Sequence, residues 1–330
     1  MFSTVHSLWT QVFPPRPLFT EKNLPDLQGK VYIVTGSNTG VGKELAQILF
    51  SKNAKVYIAA RSEDKANNAI KEILKANPDS TGELTYLPLN LSDLTTIKSS
   101  AESFLSKENK LHVLFNNAGV MTPPRGSKTA QGYELQLGVN NIGPFLFTKL
   151  LTPTLVSTAK TEPPNTVRVI WVSSIAMETG APKSVGVPLD KLDNLTDSKS
   201  SQYLNYSISK AGNYLYAAEF AKRYRADGVL SVALNPGNLA SDLSRHRAFL
   251  FKAVTRPMLY SPVLGAYTEL FAGLSPDVTG KEPGNWIIPW GRVVSVRKDL
   301  IEATKTEAEG GNGTALKFWE WTEKQINPYL

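Results

Sequence analysis

From Lys30 onward, short runs of β-branched and apolar residues alternate with stretches whose apolar positions recur every three to four residues. Strands are predicted over residues 30–35, 55–60, 84–89, 111–115, 167–172 and 229–234, with a seventh over 285–288. Helices are predicted between them, over 40–51, 63–76, 93–107, 130–158 and 203–226, with a last one over 314–326. Asp93 opens the third helix as an N-cap, because its side chain can accept from an unpaired backbone N–H of the first turn. Asn77-Pro78 closes the second, since the residue before proline is driven out of the helical region.

The predicted strands carry apolar residues at successive positions, so both of their faces are buried. Strand and helix also alternate strictly, which together implies a parallel sheet covered by helices on both sides. Right-handed crossovers then give a Rossmann-type, doubly wound α/β sheet of about seven strands in a single domain, with its crevice at the carboxyl ends of the strands. The domain is expected to span 26–330, preceded by an extension over residues 1–25. In that extension Phe2, Val5, Leu8, Trp9, Val12 and Phe13 fall near helical spacing before Pro14-Pro15-Arg16-Pro17 stops the helix. Packing on its own domain is the favoured reading. A flap beside a substrate mouth, or a weak membrane contact through residues 1–25, is the sharper one.

Composition removes several function classes. The 330 residues include no cysteine, so disulfides, thiolate metal sites and a cysteine nucleophile are excluded. His6, His112 and His246 share no ligand spacing, and no metal is expected. The net charge is +7, but the basic residues are scattered, which points to anionic small molecules rather than nucleic acid. No run reaches the roughly 18 apolar residues of a membrane span. The N-terminus lacks the basic start and continuous apolar middle of a secretory signal, and a cytoplasmic location is expected.

Candidate chemistry begins at the first strand–helix junction, Gly36-Ser37-Asn38-Thr39-Gly40-Val41-Gly42. Glycines there let the backbone turn sharply and approach a pyrophosphate, which the helix N-terminus attracts through its unpaired N–H groups. The second strand ends in Ala60-Arg61-Ser62, with no acid at its tip. A carboxylate would repel a 2′-phosphate whereas a guanidinium pairs with it, so Arg61 points to NADP, with NADPH preferred over NADH.

Tyr206 has a lysine four residues later, Lys210, which sets both side chains on one face of a helix. A phenol ordinarily titrates near pH 10 and is a poor catalyst at neutrality, and a neighbouring ammonium favours its ionised form. These features stand in one order with Asn116-Asn117-Ala118-Gly119, Asn140, Ser173-Ser174 and Asn235-Pro236-Gly237. Together they resemble the short-chain dehydrogenase/reductase family from about Leu27 to Ile288. Val139-Asn140-Asn141-Ile142-Gly143-Pro144-Phe145 is similar to its retinol-dehydrogenase and protochlorophyllide-reductase branch.

The resemblance implies an NADPH-dependent oxidoreductase in which Tyr206 donates a proton to a carbonyl oxygen as hydride arrives. Lys210 would hold the nicotinamide ribose and lower the Tyr206 pKa, Ser174 would bond the substrate oxygen, and Asn140 would anchor a water linking Lys210 to solvent. Asn117 would pack beside the adenosine, and Pro236, Gly237 and Leu239 would border the nicotinamide. Ser173 in place of Ser174, and Asn141 in place of Asn140, remain open. Two positions depart from the family pattern: Asn90-Leu91 stands where an aspartate often precedes the apolar adenine contact, and Ser241 where threonine is common.

Ile175 to Ser201 is a long insert carrying Met177, Pro182, Val185, Val187, Pro188 and Leu189, and a second apolar stretch runs from Arg247 through Tyr260. With 238–275 as a second substrate loop, a lipophilic aldehyde, ketone or secondary alcohol is the expected substrate. The alternative is that these residues pack on each other or on a partner subunit. Oxidation as an alcohol dehydrogenase, and an NADP-binding protein without turnover, are the rival functions. The helices over 130–158 and 203–226 resemble those that pair subunits in the family, so a homo-oligomer is a further expectation.

Overall fold

The computed structural model describes residues 8–195, 201–240, 259–280 and 285–330. Its sheet comprises β1 (Val31–Thr35), β2 (Lys55–Ala60), β3 (Glu83–Pro88), β4 (Val113–Asn116), β5 (Val167–Val172), β6 (Val229–Leu234), β7 (Asn285–Ile288) and β8 (Arg292–Ser295). The spatial order is β3-β2-β1-β4-β5-β6-β7-β8. Every neighbouring pair is parallel except β7 with β8. This is the Rossmann-type sheet expected, with one more strand than predicted.

Period-2 geometry explains why the strands are apolar throughout. Ile33, Leu114, Val169 and Trp171 enter one buried layer. Val34, Phe115, Ile170 and Val172, one residue out of step, enter the other. Helices α1 (Gly40–Phe50) and α7 (Pro262–Leu274) cover the second layer. The first layer is covered by α3 (Ile97–Leu105), α4 (Gly143–Ala159), α6 (Gln202–Tyr224) and α9 (Thr314–Ile326). The remaining helices are α2 (Glu63–Ala76), α5 (Ala176–Gly180) and α8 (Lys298–Thr304).

Two predicted elements change. The helix expected over 130–158 starts only at Leu135, passes through a π-helical segment at Gly138–Ile142 and then becomes α4. Asn140 sits in the middle of that wider turn, a distortion often found where a helix serves a site. The expected substrate loop 238–275 contains α7, thirteen residues packed on the sheet. Likewise Met177 and Val187 of the 175–201 insert are buried in the core rather than lining an opening. The stretch from Ser241 to Met258 lies outside the described residues.

Residues 8–12 form a helical segment that packs on the domain. Leu24 and Leu27 enter the core beside α1, and the Phe19 and Phe271 rings meet edge-on with centroids 5.8 Å apart.

Candidate active site

The chain runs β1, β2, β3 in one direction and then returns to place β4 on the other side of β1. The crevice of a doubly wound sheet lies at that switch. Its floor is closely bonded. Thr35 Oγ1 donates to the Phe115 carbonyl (3.1 Å) and accepts from Ala118 N–H (2.9 Å), while Asn117 Nδ2 donates to the Thr35 carbonyl (2.7 Å).

Here two glycines are required. Gly36 has φ +70°, and a Cβ on it would stand 2.9 Å from the Ala118 Cα; one on Gly42 would stand 2.5 Å from Asn117 Nδ2. Thr39 precedes α1 in extended conformation without capping through its side chain, so the first-turn N–H groups at Gly40, Val41 and Gly42 have no such cap. Ser37 is buried with its hydroxyl donating to the Val34 carbonyl (2.7 Å), so what it offers a ligand is backbone. Asn38 is half-buried, and Arg61 is exposed just beyond β2.

On the adenine side, Leu91 is buried against Gly143. Asn90, just before it, turns its side-chain oxygen back onto its own segment. That oxygen accepts from the Ser92 hydroxyl (2.8 Å) and Ser92 N–H (3.3 Å), which leaves the amide NH2.

The reacting end gathers around α6. Lys210 Nζ lies 5.7 Å from the Tyr206 ring centroid, as the four-residue spacing requires, and both residues are buried. Lys210 donates to the Val172 carbonyl at 2.8 Å, and Asn213 Nδ2 reaches the same oxygen at 3.0 Å. Ser173 is buried with its hydroxyl donating to the Lys210 carbonyl (2.6 Å). Ser174 is half-buried and accepts from Ala176 N–H (3.2 Å). Of the two serines, Ser174 is thus the one whose hydroxyl proton has no acceptor among the described residues.

Asn140 accepts from Val120 N–H (2.8 Å) and donates to the Val120 carbonyl (3.0 Å) and Ser209 Oγ (2.9 Å). A Cβ on Gly119 would stand 3.2 Å from its Oδ1 and 3.3 Å from Lys210 Nζ, so Asn140 and Lys210 flank one point. Asn141 instead donates to the Ser209 carbonyl and Asn213 Oδ1, tying its segment to α6. Pro236, Gly237 and Leu239 follow β6. A Cβ on Gly265 of α7 would meet Leu239, the Pro236 carbonyl and Val41 within 3.3 Å, joining this turn to the glycine loop. Ser241 lies outside the described residues.

Burial dominates the electrostatics. It pushes the Lys210 ammonium down to about 8, with Glu269 opposing. It pushes the Glu269 carboxyl up to about 8, with Lys210 opposing. Glu269 faces the sheet from α7 between Gly265 and Gly273, and neither carboxylate oxygen has a hydrogen-bond partner among the described residues. Nothing in the apolar periodicity of 262–274 marked it. Gln11 was equally missed: it is buried and donates to Glu178 Oε2 at 2.7 Å, while Asn235 Nδ2 donates to its Oε1 at 2.9 Å. Only tertiary packing brings those three together.

A family model described as short chain dehydrogenase matches residues 30–185. A short-chain dehydrogenase/reductase of Phomopsis amygdali is 54% identical over 334 residues, covering 100% of this chain and 99% of the relative. Another, from Neocamarosporium betae, is 51% identical and covers 99% of this chain and 94% of its own. The chain belongs to the short-chain dehydrogenase/reductase family, and is an oxidoreductase of that family. Among solved structures, a protein of Mycobacterium paratuberculosis superposes with a TM-score of 0.66 at 26% identity, over 94% of this chain and 97% of that one. Pseudomonas aeruginosa RhlG, in an active-site complex with NADP, shares the fold with a TM-score of 0.61 at 23% identity, over 83% of this chain and 97% of that one. Among the described residues no helix is long and apolar enough to cross a membrane.

Proposed function

We propose that the protein is an NADPH-dependent reductase of a lipophilic aldehyde or ketone, with Tyr206 as the proton donor. The observation that carries this reading is the Lys210 ammonium 5.7 Å from the Tyr206 ring, beside a half-buried Ser174 hydroxyl at the end of β5. Tyr206 delivers its proton to the substrate oxygen. Lys210, held by Val172, favours the phenolate left behind. Ser174 donates to the same substrate oxygen and stabilises charge gathering there. Asn140, fixed on both sides by Val120, keeps the floor beside Lys210 in place and anchors the water through which the proton is restored.

The cleft fits a nicotinamide dinucleotide: the α1 N-terminus has no side-chain cap and the loop excludes a Cβ at Gly36 and Gly42. Gly36 to Gly42 would hold the pyrophosphate, Arg61 the 2′-phosphate, Asn90, Leu91 and Asn117 the adenosine, and Pro236, Gly237, Leu239 and Ser241 the nicotinamide end, with Lys210 on its ribose. When bound, the cofactor supplies the hydride. The lipophilic substrate class is supported by the apolar composition of Ala248 to Phe251 and Met258 to Tyr260.

The test is a panel of apolar aldehydes and ketones followed at the nicotinamide absorbance with NADPH and with NADH. Wild type is expected to turn over at least one of them with NADPH, and Tyr206→Phe to lose about 10²-fold or more in kcat while still binding NADPH. Unchanged turnover by Tyr206→Phe rejects the mechanism.

A further inference from the structure

Residues 10–12 bond to four separate segments. Gln11 takes Glu178 of α5 on one side and Asn235 on the other. The Thr10 carbonyl accepts from Arg292 at 2.6 Å and the Val12 carbonyl from the Tyr260 hydroxyl at 3.2 Å. Two of these segments are turns of the candidate site. Glu178 lies four residues beyond Ser174, on the helix whose leading Ala176 N–H bonds Ser174 Oγ. Asn235 opens the Asn235-Pro236-Gly237 turn and accepts from Gly237 N–H at 3.0 Å.

β5 and β6 pair directly, but the last hydrogen bond between them, from Ser173 N–H to the Leu234 carbonyl (2.8 Å), falls short of linking the two turns beyond. Gln11 supplies that link. An amide is suited to the task, because its NH2 donates to the carboxylate while its oxygen accepts from the asparagine. With Gln11 and Asn235 nearly wholly buried, an apolar replacement leaves polar groups unpaired in the interior.

We infer that Gln11 is a positioning residue of the active site: the N-terminal segment is a strap that sets the Ser174 turn against the Pro236-Gly237 turn, and so the substrate oxygen against the nicotinamide. The inference rests on the reductase reading, since only there do the two turns hold the two reactants. Misplacement of reactants by about 1 Å can cost about 10²-fold in rate without touching the reacting groups.

Full-length Gln11→Leu is compared with Gln11→Glu and with the exchange double variant Gln11→Glu/Glu178→Gln. The exchange retains both hydrogen bonds: the introduced amide donates to the introduced carboxylate, which still accepts from Asn235. Gln11→Glu alone sets two carboxylates against each other. Three quantities are read: kcat on the carbonyl, the Kd of NADPH by fluorescence, and amide hydrogen exchange in peptides covering 174–180 and 235–240. Expected for both single variants are a loss of about tenfold or more in kcat, NADPH binding changed less than about threefold, and faster exchange in both peptides. The exchange variant restores all of these. Wild-type kcat in Gln11→Leu, or an exchange variant as slow as the single ones, overturns the proposal. If wild type reduces no carbonyl, the reductase reading fails on its own, and unaltered exchange in Gln11→Leu still overturns the strap.

Discussion

The Lys210 ammonium donates to the Val172 carbonyl at 2.8 Å, at the last residue of β5. A charged side chain is thereby tied to the strand end that leads into Ser173 and Ser174, and with the Ser173 bond to the Lys210 carbonyl it holds the helix carrying Tyr206 against that strand end. The arrangement is costly to the fold: burial holds the ammonium down to about 8 from an ordinary 10.5.

Lys210→Met is therefore expected to separate activity from stability. Turnover should fall by about 10²-fold or more. The fold should become more stable at pH 7, because Asn213 still satisfies the Val172 carbonyl and a disfavoured charge is gone. For a lysine whose folded pKa is lowered, the stability conferred by the neutral form is present above about 10.5 and lost as pH falls through about 8. The variant's advantage, of order 3 kcal/mol, should thus be full below pH 8 and shrink towards pH 10.5. Denaturant melts across that range measure it, and a constant difference would contradict the assignment.

The two serines should fail in different ways. Ser174→Ala removes a hydroxyl whose proton is uncommitted, so kcat should drop by about 10²-fold or more with the thermal midpoint nearly unchanged. Ser173→Ala removes a buried hydrogen bond to the Lys210 carbonyl, which keeps its helical partner, and should cost about 0.5–1.5 kcal/mol of stability. Turnover and thermal melts on the purified pair check both outcomes. Reversed roles would return the catalytic hydroxyl to Ser173.

How far the sequence discloses these features depends on how local their causes are. Tyr206 and Lys210 were legible because helical spacing alone puts them on one face, and the glycine loop because its turn is fixed by neighbouring residues. The choice between Ser173 and Ser174 required α6, whose Lys210 carbonyl claims one hydroxyl and not the other. Helix α7 escaped notice because its sheet-facing line reads Gly265, Glu269, Gly273, two glycines and an acid where a large apolar stripe is expected. Strand β8 is four residues long, half-exposed and antiparallel, joined to β7 by a tight turn in which Gly291 N–H bonds the Ile288 carbonyl. None of that departs much from loop chemistry. Gln11 had no local signal, since both of its partners lie more than 160 residues away.

Arg61 supplies a prediction about cofactor choice. It stands exposed at the tip of β2, where a 2′-phosphate would be met. Arg61→Asp should weaken NADPH by about 10- to 100-fold, as loss of a charge-assisted bond implies, while NADH is affected little or improved. Ratios of kcat/KM for the two cofactors measure the switch. An equal loss for both would mean that the arginine does not read the phosphate.

Glu269 offers the most exacting test of the buried electrostatics. Its carboxylate oxygens have no hydrogen-bond partner among the described residues, and burial drives the group up to about 8 from 4.5, against the pull of Lys210. A carboxyl whose folded pKa is raised contributes stability that is complete below about 4.5 and is lost as pH rises through about 8. The wild-type protein should therefore lose folding free energy over that window, by an amount of order 5 kcal/mol. Glu269→Gln, which cannot ionise, should lose much less and be the more stable protein at pH 8.5. The two sites should also fail to add. In Lys210→Met the carboxyl loses its attracting charge and is pushed higher still, and each single substitution forfeits that attraction, so combining the two should gain more than the sum of the singles. Denaturant melts of wild type, both singles and the double at pH 5.5 and 8.5 decide the matter. Parallel pH dependence for wild type and Glu269→Gln would mean that the carboxyl finds water or a partner, and that its charge is not confined beneath the site.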